Sequence, residues 1–388
     1  MLGSRKLGFF YRLLLAAAVL MSLIGLIVYT ENCIATGRKA VSLCLETVAP
    51  SLFPFFVVSN IIIGMGYAQD ISFLFEPIMR KLFNVSGACA CAFLMGIIGG
   101  YPVGARTAIE LYNKRLCTKA EAERLLSFCN NSGPAFILGI VGSAIFDSRG
   151  AGFLLYAAHL CASVTVGIIF RRYKADNSVK TSVSITKDRE EVKFSSVFVD
   201  SVRTAMSSII NISAFVIFFA VAVDMLFSSG IFTAAAKALS SVLSPIGIDF
   251  EKASQLLTGL LEITSGLWSL SGASSAFNAR LAMAAFILGW AGISVHCQAL
   301  SFLGNSGLSF TPYFCGKFLH AVLSAVYTYA LTKIIPFSVE TSYVLQVSSL
   351  SGQDVRTTFL TSAIYALAVF LVIVCITVFR KQNHVDKI

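Results

Sequence analysis

Long apolar runs separated by short polar stretches dominate the chain, and nowhere does apolar alternate strictly with polar over a ten-residue strand. Uninterrupted spans are predicted at 11–30, 151–170, 211–229, 318–336 and 358–379, each long enough to cross a ~30 Å hydrocarbon core. Two further apolar runs, Ala88–Ile98 and Pro134–Phe146, are too short to span and are flanked by Gly, Pro and Asn. Half-helices and re-entrant hairpins explain them better than spans. Thr36–Thr47 and Phe73–Phe83 mix charge with large apolar residues and fit helices lying at the membrane interface.

Composition removes the soluble classes: of 388 residues 56% are hydrophobic and 13% charged, with a mean hydropathy of +0.79, against roughly 25% charge in a soluble domain. The expected fold is an all-α polytopic membrane protein. Net charge is +10, a value that in a soluble chain would raise nucleic acid as a partner. Eight of those ten charges sit between apolar runs: in Arg5, Lys6 and Arg12, in 171–193 and in 380–387. The positive-inside rule places all three segments in the cytoplasm and excludes nucleic acid, leaving the bilayer as the partner surface. The run Leu13–Thr30 is too long for a signal-peptide core and no A-x-A site follows, so it is read as an anchor helix. Most of the ten cysteines lie inside apolar runs, where Cys packs as a small hydrophobe; no metal ligand set or cofactor motif is predicted.

The polar stretch 172–193 divides the chain into halves. The predicted organisation is an anchor helix at 1–31, a first repeat at 32–171, the cytoplasmic linker 172–193, a second repeat at 194–336, and an external loop, final helix and tail at 337–388. Phe136-Ile-Leu-Gly-Ile-Val-Gly142 echoes Phe286-Ile-Leu-Gly-Trp-Ala-Gly292 at an offset of 150 residues; a weaker echo of Gly96–Gly99 in Ile263–Gly266 has an offset of 167. That mismatch predicts about 17 extra residues in the first half, near 104–124. With both termini and the linker inside, the halves run in opposite directions across the membrane, which is the inverted-repeat plan of secondary transporters.

In that plan the substrate site lies at broken helices near the midplane, and four breaks are candidates. Gly99, Gly100, Tyr101 and Pro102 interrupt one helix, and Arg106 follows in the first turn of the next, an arrangement suited to an anion; a surface loop with a solvated Arg is the alternative. Asn130, Asn131 and Ser132 precede Gly133-Pro134, where amides and a hydroxyl can bond a substrate or cap the helix. Glu262, with Thr264 and Ser265, is a lone acid in an apolar stretch, either a coupling-cation or proton site or a brace to Arg106 or Arg280. Ser294 and His296, with Gln298, would share a face only if their stretch were unwound, and His296 fits a buried hydrogen-bonded role as well. Lys317 and His320 share a helix face at i, i+3, with Lys317 placed to snorkel from the helix end. No catalytic motif or nucleotide-binding loop is present, so the chain is not read as an enzyme.

Leu52-Phe-Pro-Phe-Phe, Gly99-Gly-Tyr-Pro-Val-Gly-Ala, Glu121-Ala-Glu-Arg-Leu-Leu-Ser-Phe-Cys-Asn-Asn-Ser-Gly-Pro and Phe286-Ile-Leu-Gly-Trp-Ala-Gly-Ile-Ser resemble the sporulation integral membrane proteins of the YlbJ type, over about residues 40–335. These carry the nucleoside-recognition Gate domain. The resemblance implies two inverted repeats with broken helices and re-entrant hairpins, similar to the core of concentrative nucleoside transporters. It also implies a carrier of dipicolinic acid in the outer forespore membrane or cell membrane of a spore former, with a homo-oligomer or other sporulation membrane proteins as further partners. A nucleoside or other small-metabolite carrier, or a structural part of a spore-membrane complex, is the alternative. Dipicolinate suits the residues: its carboxylates want helix N-termini, Arg or amides, and its ring an aromatic wall such as Tyr101, Phe128 or Trp290.

Overall fold

The computed structural model describes residues 13, 16, 17, 19–175, 193–304 and 306–334, all of them within the first of two compact units, 1–335. The N-terminal charges, most of the linker, the external loop, the final helix and the tail lie outside the described residues. Among the described residues every regular element is helical.

The anchor run does not continue straight. Helix α1 (Val19–Val28) meets α2 (Thr30–Leu43) at 95°. A π-helical turn, Cys44–Val48, leads into α3 (Ala49–Gly64). The first half continues with the amphipathic α4 (Tyr67–Phe83), a hairpin of α5 (Cys89–Gly99) and α6 (Val103–Asn113), the short charged α7 (Lys119–Leu126), a wide π-type helix Ala135–Ile145 and the spanning α8 (Arg149–Phe170). The second half repeats this order with α9 (Phe194–Ser228), α10 (Ile231–Leu243), a hairpin of α11 (Phe250–Leu261) and α12 (Ile263–Trp268), the broken pair α13 (Phe277–Trp290) and α14 (Gly292–Leu303), and α15 (Thr311–Ile334).

Both short apolar runs form half-helices, as their length required, and the predicted spans 151–170, 211–229 and 318–336 fall within α8, α9 and α15. Helix α9 is the largest departure. Its 35 residues would extend about 52 Å, because the polar residues after Lys193 continue the helix on a face where Val197, Ser201, Ala205, Ser208 and Ile212 are buried at helical spacing.

The repeat is real, but the motif that suggested it is out of register. Helices α5 and α11 begin at 89 and 250, α6 and α12 at 103 and 263, and α8 and α15 at 149 and 311, a nearly constant offset of 160 to 162 residues. No block of 17 extra residues separates the halves. Phe136–Gly142 follows the first half's broken point, whereas Phe286–Gly292 precedes the second's, so the two segments occupy different elements. Apolar half-helices draw on few residue types, and five matching positions arise easily between elements that do not correspond.

Backbone-to-backbone contact through small residues holds the bundle together. A side chain at Gly96 or Gly104 would collide with the Cys129 carbonyl, one at Gly316 with the Ser127 carbonyl, and one at Gly289 with the backbone of Ala321. The hairpin arms, the end of α7 and α15 are thereby drawn together around Leu111, Leu125, Phe128 and Tyr313, all buried. Phe128 stacks on Phe83 at 4.6 Å between ring centroids and meets Phe93 edge-on at 5.3 Å.

Candidate functional site: a buried cluster at the helix breaks

Helix is interrupted in all four stretches that the sequence singled out, two marked by glycine, proline and asparagine, one by Glu262 and one opening at Ala291–Gly292, and the interruptions meet in pairs. The first hairpin turns at Gly100–Pro102, with Gly100 at φ 77°, and a Cβ there would lie 2.8 Å from the Gly133 nitrogen. Only glycine lets this tip reach the break 130–133. The second hairpin turns at Glu262 and abuts the break between α13 and α14, where Ala291 and Gly292 take φ 78° and 79°. A Cβ on Gly292 would lie 3.1 Å from the Ile263 nitrogen. A non-glycine residue such as Ala291 in this region costs about 1–2 kcal/mol and persists where surrounding packing imposes it. The Tyr101 hydroxyl donates to the Leu288 carbonyl and Trp290 Nε1 donates to Leu260 O at 3.1 Å, tying both hairpins to α13.

Lys317 lies at the centre, 1% exposed. Its ammonium donates to the Asn130 carbonyl at 3.1 Å and stands 4.8 Å from the centroid of the Tyr101 ring. No carboxylate pairs with it among the described residues. Snorkelling is ruled out by geometry, because α15 begins at Thr311 rather than near 318, so Lys317 is two turns inside the helix. Around it Asn130 Nδ2 donates to the Tyr313 hydroxyl at 3.3 Å, and that hydroxyl meets His296 Nδ1 at 3.1 Å. Ser132 N–H donates to His159 Nε2 at 3.0 Å, His159 lies 4.2 Å from His320 ring to ring, and His320 Nε2 bonds the His159 carbonyl at 2.9 Å.

The bond from Ser132 fixes one of these protons. His159 Nε2 accepts, so the ring's proton is on Nδ1. The Tyr313 hydroxyl accepts from Asn130 and either gives its own proton to His296 Nδ1 or accepts from it, according to the tautomer of that ring. Both nitrogens, His159 Nδ1 and His296 Nε2, are buried without a hydrogen-bond partner, as are Asn130 Oδ1, Asn131 Oδ1 and Ser132 Oγ. A buried polar atom left unpaired costs about 1–3 kcal/mol, and five within one cluster mark a place that a ligand or water completes.

The remaining predicted residues are placed differently. Glu262 forms no ion pair with Arg106 or Arg280: it accepts from Thr264 N at 3.0 Å and Ser265 N at 2.6 Å, capping α12, so those two residues contribute N–H groups to the cap. Arg106 does lie in the first turns of α6, but its guanidinium donates to Ser208 Oγ at 2.7 Å and stands over Phe56 and Phe302. Ser208 lines a separate pocket of about 370 Å³ with Ser207, Asn211 and Phe302. Arg280 bonds Leu270 O and stacks near Phe146 and Phe277. Ser294 and His296 are buried on a continuous α14, and the unwinding expected around them occurs earlier, at Ala291–Gly292. Sequence reasoning missed His159 and Tyr313. The signal for His159 was present, since an ionisable residue within an apolar span is functional by default.

The short helix α7 lies at one edge of the cluster, outside the spans. Glu123 accepts from Lys174 Nζ at 2.7 Å and from Ser309 N at 3.0 Å, and Arg124 donates to the Tyr173 carbonyl at 3.0 Å. Burial pushes the Glu123 carboxyl up, but the bonds from Lys174 and Ser309 outweigh it and hold the group below the usual carboxylate range.

Fold and site together define a polytopic membrane protein with a transporter-like core. Residues 45–170 match the Gate family model, described as nucleoside recognition. Over 370 residues the chain is 29% identical to "Sporulation integral membrane protein YlbJ" of Bacillus subtilis (strain 168), covering 90% of this chain and 89% of that one. The fold is similar to that of CNTnw, a concentrative nucleoside transporter. The TM-score is 0.52 against a variant in its intermediate 1 state, at 14% identity over 78% of this chain and 83% of that one. Against an outward-facing variant it is 0.50, at 14% identity over 82% and 86%. The resemblance drawn from the motifs and the two-repeat, broken-helix architecture both stand.

Proposed function

We propose that the protein is a carrier of a small planar organic anion, with dipicolinate as the substrate that the resemblance implies, and that the site is the cluster around Lys317. The observation that supports this most is an imbalance of donors. An ammonium without a carboxylate partner, the His159 Nδ1–H without an acceptor and the unpaired His296 Nε2 lie together at the breaks. Burying an ammonium with no carboxylate partner costs several kcal/mol, and a carboxylate entering the cluster would offset that cost while accepting from His159 Nδ1–H. Tyr101 and Trp290, which packs 4.4 Å from His296, supply ring surface for an aromatic substrate. The cluster is wholly enclosed, so in this reading substrate enters when a hairpin tip separates from its break. Arg106 stays outside the site, and Glu262 acts by holding the second hairpin tip in shape.

A role in sporulation is proposed from the relative's description alone, and residence in the outer forespore or cell membrane from the family resemblance. A second reading, a nucleoside carrier, is favoured by the description of the Gate model and by the free amide oxygens of Asn130 and Asn131, which could accept from a nucleobase. Counterflow of labelled dipicolinate in proteoliposomes holding only the purified protein tests the proposal. Counterflow that excess unlabelled dipicolinate abolishes and uridine does not is the expected result. Competition by uridine alone would favour the nucleoside reading, and no exchange of either would overturn the carrier reading in favour of a structural role.

A further inference from the structure

In transporters built from broken helices, carbonyls freed by unwinding coordinate the coupling sodium ion or proton. Here the break after α7 frees the Asn130 carbonyl, and what it holds is the Lys317 ammonium. The surroundings suit a cation: a carbonyl at the end of a half-helix bonds the ammonium and the face of Tyr101 lies 4.8 Å away, while Asn130 Oδ1, Asn131 Oδ1 and Ser132 Oγ, on three consecutive residues of the same break, are left without a partner. Neutral oxygens of this kind suit a hard monovalent cation or an ammonium equally. A metal cation beside a buried ammonium would be repelled by it.

We propose that the Lys317 side chain is a tethered substitute for a coupling cation, seated in the break after α7, so that the protein binds its substrate without sodium. The cluster then divides: His159 Nδ1–H and the free protons of Lys317 are left for the anion, while the Asn130 carbonyl holds the positive charge. As to transport this rests on the carrier reading, whereas the cation position is tested with no substrate present.

Purified full-length protein is melted in sodium chloride and in choline chloride at equal ionic strength. Wild type is expected to show no difference between the salts. Lys317→Ser, which removes the ammonium and leaves its space, should gain a saturable rise in Tm with sodium of about 2–4 °C. Lys317→Met, which fills that space with an uncharged chain, should gain none. A saturable sodium response in the wild type overturns the proposal, as does a folded, monodisperse Lys317→Ser that ignores sodium. Should Lys317→Ser not fold, the wild-type comparison decides alone. Absence of dipicolinate counterflow would count against the carrier reading and leave these melting results unaffected.

Discussion

Replacing Lys317 by Met should weaken anion binding and leave the empty protein as stable or more stable. Met keeps the length and apolar stem of Lys while removing the charge. In the empty protein the ammonium bears a desolvation cost of several kcal/mol. Against that stand one charge-assisted bond to the Asn130 carbonyl, worth about 1.5–3 kcal/mol, and a contact with the Tyr101 ring, worth about 2 kcal/mol when desolvated. The two sides are nearly equal, so Tm should stay or rise. Bound anion adds at least one charge-assisted bond that Met cannot make. At about 1.36 kcal/mol per decade its loss weakens affinity roughly 10- to 150-fold, and Lys317→Arg should recover part of it. Titration of dipicolinate into purified protein, with melting curves on the same samples, reads both quantities. Affinity within about threefold of wild type would remove Lys317 from the site. A fall in Tm of more than about 8 °C, equivalent to some 2 kcal/mol or more, would show instead that the lysine is a structural brace.

Arg106→Gln should change dipicolinate affinity by less than about threefold while lowering stability by about 1–2 kcal/mol, since its charged bond goes to Ser208; a tenfold loss of affinity with normal melting would return Arg106 to the anion site. Gly96→Ala places a Cβ 1.8 Å from the Cys129 carbonyl and should cost about 3 kcal/mol or more, whereas Gly139→Ala, with nothing within 4 Å, should be tolerated; equal Tm values for the two would refute the close-packing argument. The depressed Glu123 carboxyl contributes stability that is present above its unfolded pKa of about 4.3 and is lost as pH falls through the folded value. Because Lys174 is half exposed, water screens part of that contribution, and Glu123→Gln should lower Tm at pH 7 and flatten its decline below about pH 5; an unchanged acid profile would show that Glu123 carries no linkage.

Local chemistry was legible in the amino-acid order. Apolar runs of 18 or more residues foretold α8 and α15, runs too short to span foretold half-helices, and glycine, proline and asparagine marked the breaks at Gly100–Pro102 and Asn130–Gly133. These features depend on hydrogen bonds within a few residues, so neighbours in sequence decide them. The extent of α9 and the register of the repeat were not legible, because both depend on which face finds a partner elsewhere in the bundle. The site divided along the same line. Asn130, Asn131 and Ser132 stood out as polar residues at a break, whereas Arg106 and Glu262 were charges whose partners only the fold could supply, and it supplied Ser208 and the N–H groups of α12. Lys317 and His159 lie 158 residues apart in the chain, yet both reach the break after α7, Lys317 bonding Asn130 and His159 accepting from Ser132. The direction in which a helical side chain points is set by the packing of α8 and α15 against α7, and glycines such as Gly316 permit that packing. Sequence therefore determined where helices stop, and tertiary structure decided which charge faces the breaks, because a buried charge takes its meaning from its partner.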